Sequence, residues 1–425
     1  MKRYKLGELV EVTRGTSLSG DYYATEGSLI RLTLGNFDYT NGGFKKNTSK
    51  ENIFFTGEVK KEFILKKGDI ITPLTEQTPG LLGTTARIPE SGKYIQSQDI
   101  ALIKCKPGTI DPAFCYYLVS SESVKKQLGA AAQQTKIRHT SPDRIRNVIV
   151  DIPSLEEQIR IGRFLDSITT KIETTRTIND YLEAMARQLY DYWFVQFDFP
   201  DENGKPYKSS GGKMVWNERL KKNIPVGWRI DSLASVCETR LGGTPDTSCA
   251  SFWGGEYRWL NSGEVAEFPI LTSEKTITKA GLDGSATAYL PIGSVTLSIT
   301  RHLRASIMAI NACINQSVVG ILETDLIRKE FLYPFITTEI PHLMTLRTGA
   351  QQPHINKDIV DSILITIPLS EILSQYYGRA SSIYEGIICS SKEILLLENQ
   401  KNFLLPLLMN GQVSVRQLNN HLSAD

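Results

Sequence analysis

Apolar residues along this chain follow two kinds of pattern, and the two kinds alternate twice. Runs such as "DIALIKC" (99–105), "NVIVDI" (147–152) and "SVTLSIT" (294–300) alternate apolar and polar positions between clusters of Gly, Pro, Asn and Asp, which predicts strands. The stretches 111–128 and 329–346 carry apolar residues at helical spacing and predict shorter helices. Two further segments predict long ones. After Pro153, Ser154 as N-cap and Glu157 three residues on form a capping box. Leu165, Ile168, Ile172, Leu182, Met185 and Leu189 then fall three or four residues apart, or sums of these, and make one apolar stripe. In the second long segment Leu373, Ala380, Ile383, Ile387, Ile394, Leu397, Leu404 and Leu408 fit a heptad lattice. About 36 helical residues span about 55 Å, too far for a small domain to cover such a stripe. The two helices are therefore expected to pack on one another, antiparallel. Ser370 caps the second without a box, and Pro406 predicts a kink or an end there.

The alternation reflects an internal repeat. "QDIALI" from Gln98 recurs as "QSVVGI" from Gln316, and the same step of 218 carries "GAAAQQTKI" onto "RTGAQQPHI", Ile137 onto Ile355. Both copies close on an apolar run ending in Ile-Pro, at Pro153 and Pro368. More loosely, "YKLGELVEV" from Tyr4 resembles "WRIDSLASV" from Trp228, and "LKKGDIITPLTE" resembles "LPIGSVTLSITR". Each copy is a β-rich domain of mixed α and β (α+β) followed by a long helix. The division predicted is a first domain at 1–153, a helix at 154–197, a Gly-, Ser-, Lys- and Pro-rich surface connector at 198–227, a second domain at 228–368, a helix at 369–411 and a tail at 412–425.

Composition narrows the class. The 425 residues are 41% hydrophobic and 22% charged, as in ordinary globular proteins, and no run approaches the roughly 18 apolar residues of a membrane span, so a cytoplasmic protein is expected. The six cysteines and five histidines are scattered, without zinc spacing. A net charge of +2 conceals a gradient: residues 1–151 hold 22 Lys and Arg against 16 Asp and Glu, whereas residues 154–199 hold 5 against 8. The positive excess belongs to the first domain.

Catalytic motifs fail one by one. No phosphate-binding loop and no dinucleotide-binding glycine motif exists, and an Asn- or Asp-Pro-Pro-aromatic methyltransferase motif is missing. Asp38 with Glu58 and Lys60 meets a nuclease pattern only formally, in a charged turn. Polar loop chemistry remains, at matching places in the two copies: Gln133, Gln134, Lys136, Arg138 and His139 in the first, Gln351, Gln352, His354, Asn356 and Lys357 in the second. Gln and Asn pair with adenine, Arg and Lys with guanine, and both basic types anchor phosphates. Lys45, Lys46 and Arg87, and in the second copy Arg258, Arg301, His302 and Arg304, complete the DNA-contact candidates. The paired glutamines recur in both copies, which suits a structural cap; the residues that differ suit base reading. A self-contained DNA-modifying enzyme and a protein-only scaffold are the competing readings.

These residues resemble the specificity subunits of type I restriction-modification systems. The likeness covers nearly the whole chain and is most specific at "IPSLEEQIRIGRFLDSITTKIE", at "LYDYWFVQFDFPDENGKPYKSSGGKMVWNERLKKNIPVGW" and at "LGGTPDTSCASFWGGEYRWLNSGEV". It implies two target recognition domains, each reading half of a split sequence in double-stranded DNA, and two helices that set the gap. It also implies two methyltransferase subunits docked on the helices, joined by motor-nuclease subunits. S-adenosylmethionine, ATP and Mg would then belong to those partners, and this chain would be non-catalytic and without a membrane contact. The second junction, "IPLSEILSQYYGRAS", lacks the Glu-Glu-Gln of the first, so docking there is expected to differ.

Overall fold

In the computed structural model, which describes residues 1–40, 42–76, 80–131, 138–349 and 353–417, strand pairing follows the repeat. Two units divide the chain, Met1–Ile172 with Leu397–Asp425, and Glu173–Leu396.

In the first unit, Lys2–Lys5 pairs antiparallel with Ile149–Ile152. Leu6 N–H donates to Val148 O across the start of a short helical turn. A four-stranded sheet follows, with Ile100–Cys105 between Val10–Arg14 and Ile70–Pro73, and Ala86–Arg87 at the edge. The second unit repeats each step. Arg229–Ser232 pairs with Leu364–Ile367, Leu233 N–H donates to Ile363 O, and Val318–Ile321 lies between Thr239–Leu241 and Val295–Ser298, with Arg304–Ile307 outermost. A second four-stranded sheet in each unit contains one parallel pairing, Arg31 with Ile95 and Trp259 with Cys313.

Glycine fixes the same crossing in both copies. A Cβ on Gly15 would lie 2.2 Å from the carbonyl oxygens of Gln96 and Ser97, and one on Gly242 would lie 2.1 Å from that of Ile314. Only a residue without a side chain lets these backbones approach.

The long helices run Leu155–Tyr190 and Ser370–Met409. The second continues through Pro406, where an end is one of the expectations, and closes one turn later at Met409, with the Asn410 N–H on Pro406 O. Within the second unit the helices are antiparallel, because Asn179 Nδ2 donates to Ser391 Oγ at 2.9 Å while Trp193 meets Tyr376, ring centroids 5.6 Å apart. The seam differs from the predicted stripe. Leu165, Ile168 and Ile172 are buried, but farther along Thr175, Asn179 and Ala186 are buried, and Met185 is 53% exposed. A period of three and four continues through polar residues, which an apolar count passes over.

The ends of the helices pack on their own units as well. In the first unit Ile161 and Leu165 share a core with Phe114, Leu408, Met409 and Val415. The Glu157 carboxylate, expected to complete a capping box, bonds Arg160 at 2.8 Å and receives the Val415 N–H at 3.3 Å. In the second unit a wider, π-helical turn at Asp191–Val195 carries Phe194 to within 4.8 Å of both Phe331 and Tyr376, measured between ring centroids. The stretch read as a surface connector is folded. Phe199 stacks between Tyr207 and Trp228, at 4.7 and 5.3 Å, and Met214–Asn217 pairs with Lys222–Pro225.

Candidate nucleic-acid interface

Strand geometry gathers one group of candidates in the second unit. Val295–Ser298 turns into Arg304–Ile307 through residues 299–303, and the returning segment closes on this tip: Ile355 N–H donates to Ile299 O at 3.0 Å, and Thr300 bridges His354. His354 and Thr348 exchange two backbone hydrogen bonds, of 2.9 and 3.0 Å. Arg301 sits at φ +57°, in the left-handed region, with its N–H on Pro353 O at 2.9 Å. Its carbonyl receives Arg347 Nη1 at 2.9 Å, while Arg347 Nε donates to Met344 O at 3.0 Å. Ser298 Oγ bonds His302 O at 2.7 Å and receives the Arg304 N–H at 3.0 Å, which completes the turn. Arg301, His302 and Arg304 are exposed. The tip thus brings together Arg301, His302, Arg304 and His354, and adds Arg347. Sequence reasoning missed that arginine, although it opens the repeated "RTGAQQPHI".

The first unit builds the same frame with different contents. Beyond Ile70–Pro73, Thr140 N–H donates to Leu74 O at 2.8 Å, and His139 pairs with Thr75 and Arg138 with Glu76. His139 is therefore the counterpart of His354, and Thr140 of Ile355, so the sequence match of Ile137 with Ile355 slips by three residues. Glu76 stands where the second copy has Arg301. Its side chain is wholly buried: Oε2 receives the N–H groups of Leu81 and Leu82 at 2.7 and 2.9 Å, and Oε1 lies 3.3 Å from Arg138 Nη1. The other terminal nitrogen of Arg138 donates to Gly129 O. Burial first, and the Glu76 charge second, push the Tyr39 phenol up to about 12. In this unit the position of the exposed arginine is used internally.

The remaining candidates separate by environment. Lys45 and Lys46 are exposed on a loop held by Asn36, which exchanges bonds with the Lys45 backbone, and by the buried Asn47, which donates to Thr33 Oγ1 at 2.8 Å. Arg258 is exposed on the strand Trp253–Leu260. Arg87 instead binds Asp166 of the first long helix at 2.8 Å, lies 4.2 Å over the Tyr116 ring and shares that carboxylate with the Tyr117 hydroxyl. Asn356 receives the Ile359 N–H and caps Lys357–Asp361, as Ser141 caps Pro142–Arg146, and Lys357 lies 2.5 Å from Asp361. Gln133, Gln134, Lys136, Gln351 and Gln352 lie outside the described residues.

Among the described residues, no three His, Cys, Asp or Glu side chains gather as a metal site, and no helix is long and apolar enough to cross a membrane. The family model for the type I restriction modification DNA specificity domain matches residues 1–184 and 225–388. The chain belongs to this family. The two matched segments contain most of both copies of the repeat, so the doubled frame is a doubled specificity domain. Type I restriction enzyme specificity subunits are similar along most of their length: the MjaIX subunit of Methanocaldococcus jannaschii is 21% identical over 84% of this chain and 80% of its own. The HindI subunit of Haemophilus influenzae is 22% identical over 97% and 99%. The crystal structure of a type I restriction-modification S subunit from M. genitalium shares the fold, with a TM-score of 0.60 at 13% identity over 96% of this chain and 95% of that one. As a type I specificity chain, this protein serves DNA recognition and is not the catalytic subunit.

Proposed function

We propose that the chain directs a type I restriction-modification complex to a two-part DNA sequence, each copy of the repeat reading one part. The observation that carries this reading is the repeated frame with unlike tips: an exposed Arg301 with His302 and Arg304 in one copy, a buried Glu76 in the other. A symmetric reader would select a palindrome; unlike tips select two different half-sites. The long helices, about 54 and 60 Å at 1.5 Å per residue, set the gap between half-sites and dock two methyltransferase subunits, which motor-nuclease subunits join. S-adenosylmethionine, ATP and Mg act on those partners.

The test is a domain exchange in the assembled complex, read by mapping methylated bases. Replacing residues 1–153 with the corresponding segment of another family member is expected to change one half of the target and keep the other. A change in both halves, or in neither, would sink the assignment.

A further inference from the structure

We propose that Arg301 determines specificity in the second recognition domain by reading a guanine of its half-site, and that Arg347 positions it. The inference rests on the two-reader function above and assigns chemistry to one of the readers.

Three independent observations converge on this residue. The first is backbone strain. Arg301 is one of three non-glycine residues with positive φ among the described residues, and at +57° it occupies a conformation that glycine adopts without cost. A turn that needed only its shape would be better served by glycine; an arginine kept there at a cost points to a use for the side chain. The second is restraint from both sides. The N–H is bound to Pro353 O and the carbonyl to Arg347, whose guanidinium also grips the end of the helix Lys329–Thr345 at Met344. The stem of Arg301 therefore starts from a fixed point, while its charged end is exposed and pairs with no carboxylate of a described residue. The third is the comparison between copies. The same position in the first unit is Glu76, buried and bonded inward to Leu81, Leu82 and Arg138. The frame closes with either residue, so folding does not require a cation here.

A fixed origin favours a base over a phosphate as the partner. Guanine presents two acceptors, O6 and N7, at the spacing of the planar guanidinium fork, and the match is lost when the arginine is displaced. Phosphate contacts tolerate displacement, and exposed lysines on loops, such as Lys45 and Lys46, suit them.

The experiment uses the full complex with its methyltransferase partner and a labelled methyl donor, and ranks all single-base variants of the target. Arg301→Gln is expected to relax one guanine position, in the half read by residues 228–368, by roughly ten- to a hundredfold, and to leave the other half unchanged. Arg301→Gly should relax the same position without lowering the melting temperature, because glycine removes the strain; this separates reading from folding. Arg347→Lys keeps the charge but lacks the fork, and should weaken discrimination at that position alone. Three results would overturn the proposal: an unchanged target, a change in the opposite half, or a uniform weakening with a shallower salt dependence, the mark of a phosphate contact. If the wild-type complex selects no two-part target, the functional reading itself fails, an outcome distinguishable from a variant that leaves a two-part target intact.

Discussion

Glu76 shows how one carboxylate can be built into the interior of one copy while its sister copy does without it. Glu76→Ala removes the acceptor of the Leu81 and Leu82 amides and the carboxylate beside the three-quarters-buried Arg138, which keeps its bond to Gly129 O. We expect a loss of about 3 kcal/mol from the first unit. All five tryptophans belong to residues 173–396, so fluorescence reports the second unit and circular dichroism both. In a urea titration the substitution should move the circular dichroism transition and spare the fluorescence transition. Replacing Glu76 and Arg138 together with methionines should recover part of the loss, since neither charge is then left buried alone. The equivalence of Glu76 with Arg301 follows from the match of "LKKGDIITPLTE" with "LPIGSVTLSITR", which ends on these two residues, but that of His139 with His354 could not be read from sequence. Neighbouring segments align at different steps because loop lengths differ between copies, and the bonds Thr140 to Leu74 and Ile355 to Ile299, with the pairings His139 to Thr75 and His354 to Thr300, fix the register of the returning segment.

At the level of elements, the junction between domain and helix differs in tightness between the copies. A Cβ on Gly162 would lie 2.8 Å from Ala113 Cβ, Asp111 Oδ1 and Phe114 N, where the first long helix meets the helix Pro112–Val119. Gly378, near the same place in the second long helix, would meet nothing within 4 Å. Gly162→Ala should therefore cost about 1–3 kcal/mol through forced displacement, whereas Gly378→Ala should stabilise by about 0.5–1 kcal/mol through helix propensity. Thermal melts of the two variants would show opposite shifts; a gain from Gly162→Ala would refute the close contact. Both helices, the strand runs and the repeat were legible because each expresses a period in side-chain polarity. The seam's Thr175 and Asn179 were not, since they are polar residues at apolar positions, the Nδ2 of Asn179 bonded to Ser391. Nor was the folding of 198–227, whose Gly, Ser and Lys mask the few aromatic residues that organise it.

For the whole molecule, the distribution of charge limits what the chain does alone. Residues 1–151 hold the only marked cationic excess, the long helices are mildly acidic, and Arg87, Arg138 and Lys357 are engaged within the protein. With the cationic excess confined to one segment, the isolated chain is expected to bind duplex DNA with a Kd of about 1 µM or weaker at physiological salt, and to gain affinity and selectivity when methyltransferase partners add contacts. Gel-shift titrations with and without the partner test this; tight selective binding by the chain alone would contradict it.

One consequence concerns synthesis. The first unit is discontinuous: Ile161 and Leu165 are covered by Leu408, Met409 and Val415, and Glu157 holds the backbone of Val415. A ribosome makes residues 173–396 in between. The unit begun first is thus finished last, and through most of translation its helix stands with an apolar flank open to water. Newly made chains depend on their closing segment, or on a chaperone until it arrives, to keep that flank from pairing with another molecule.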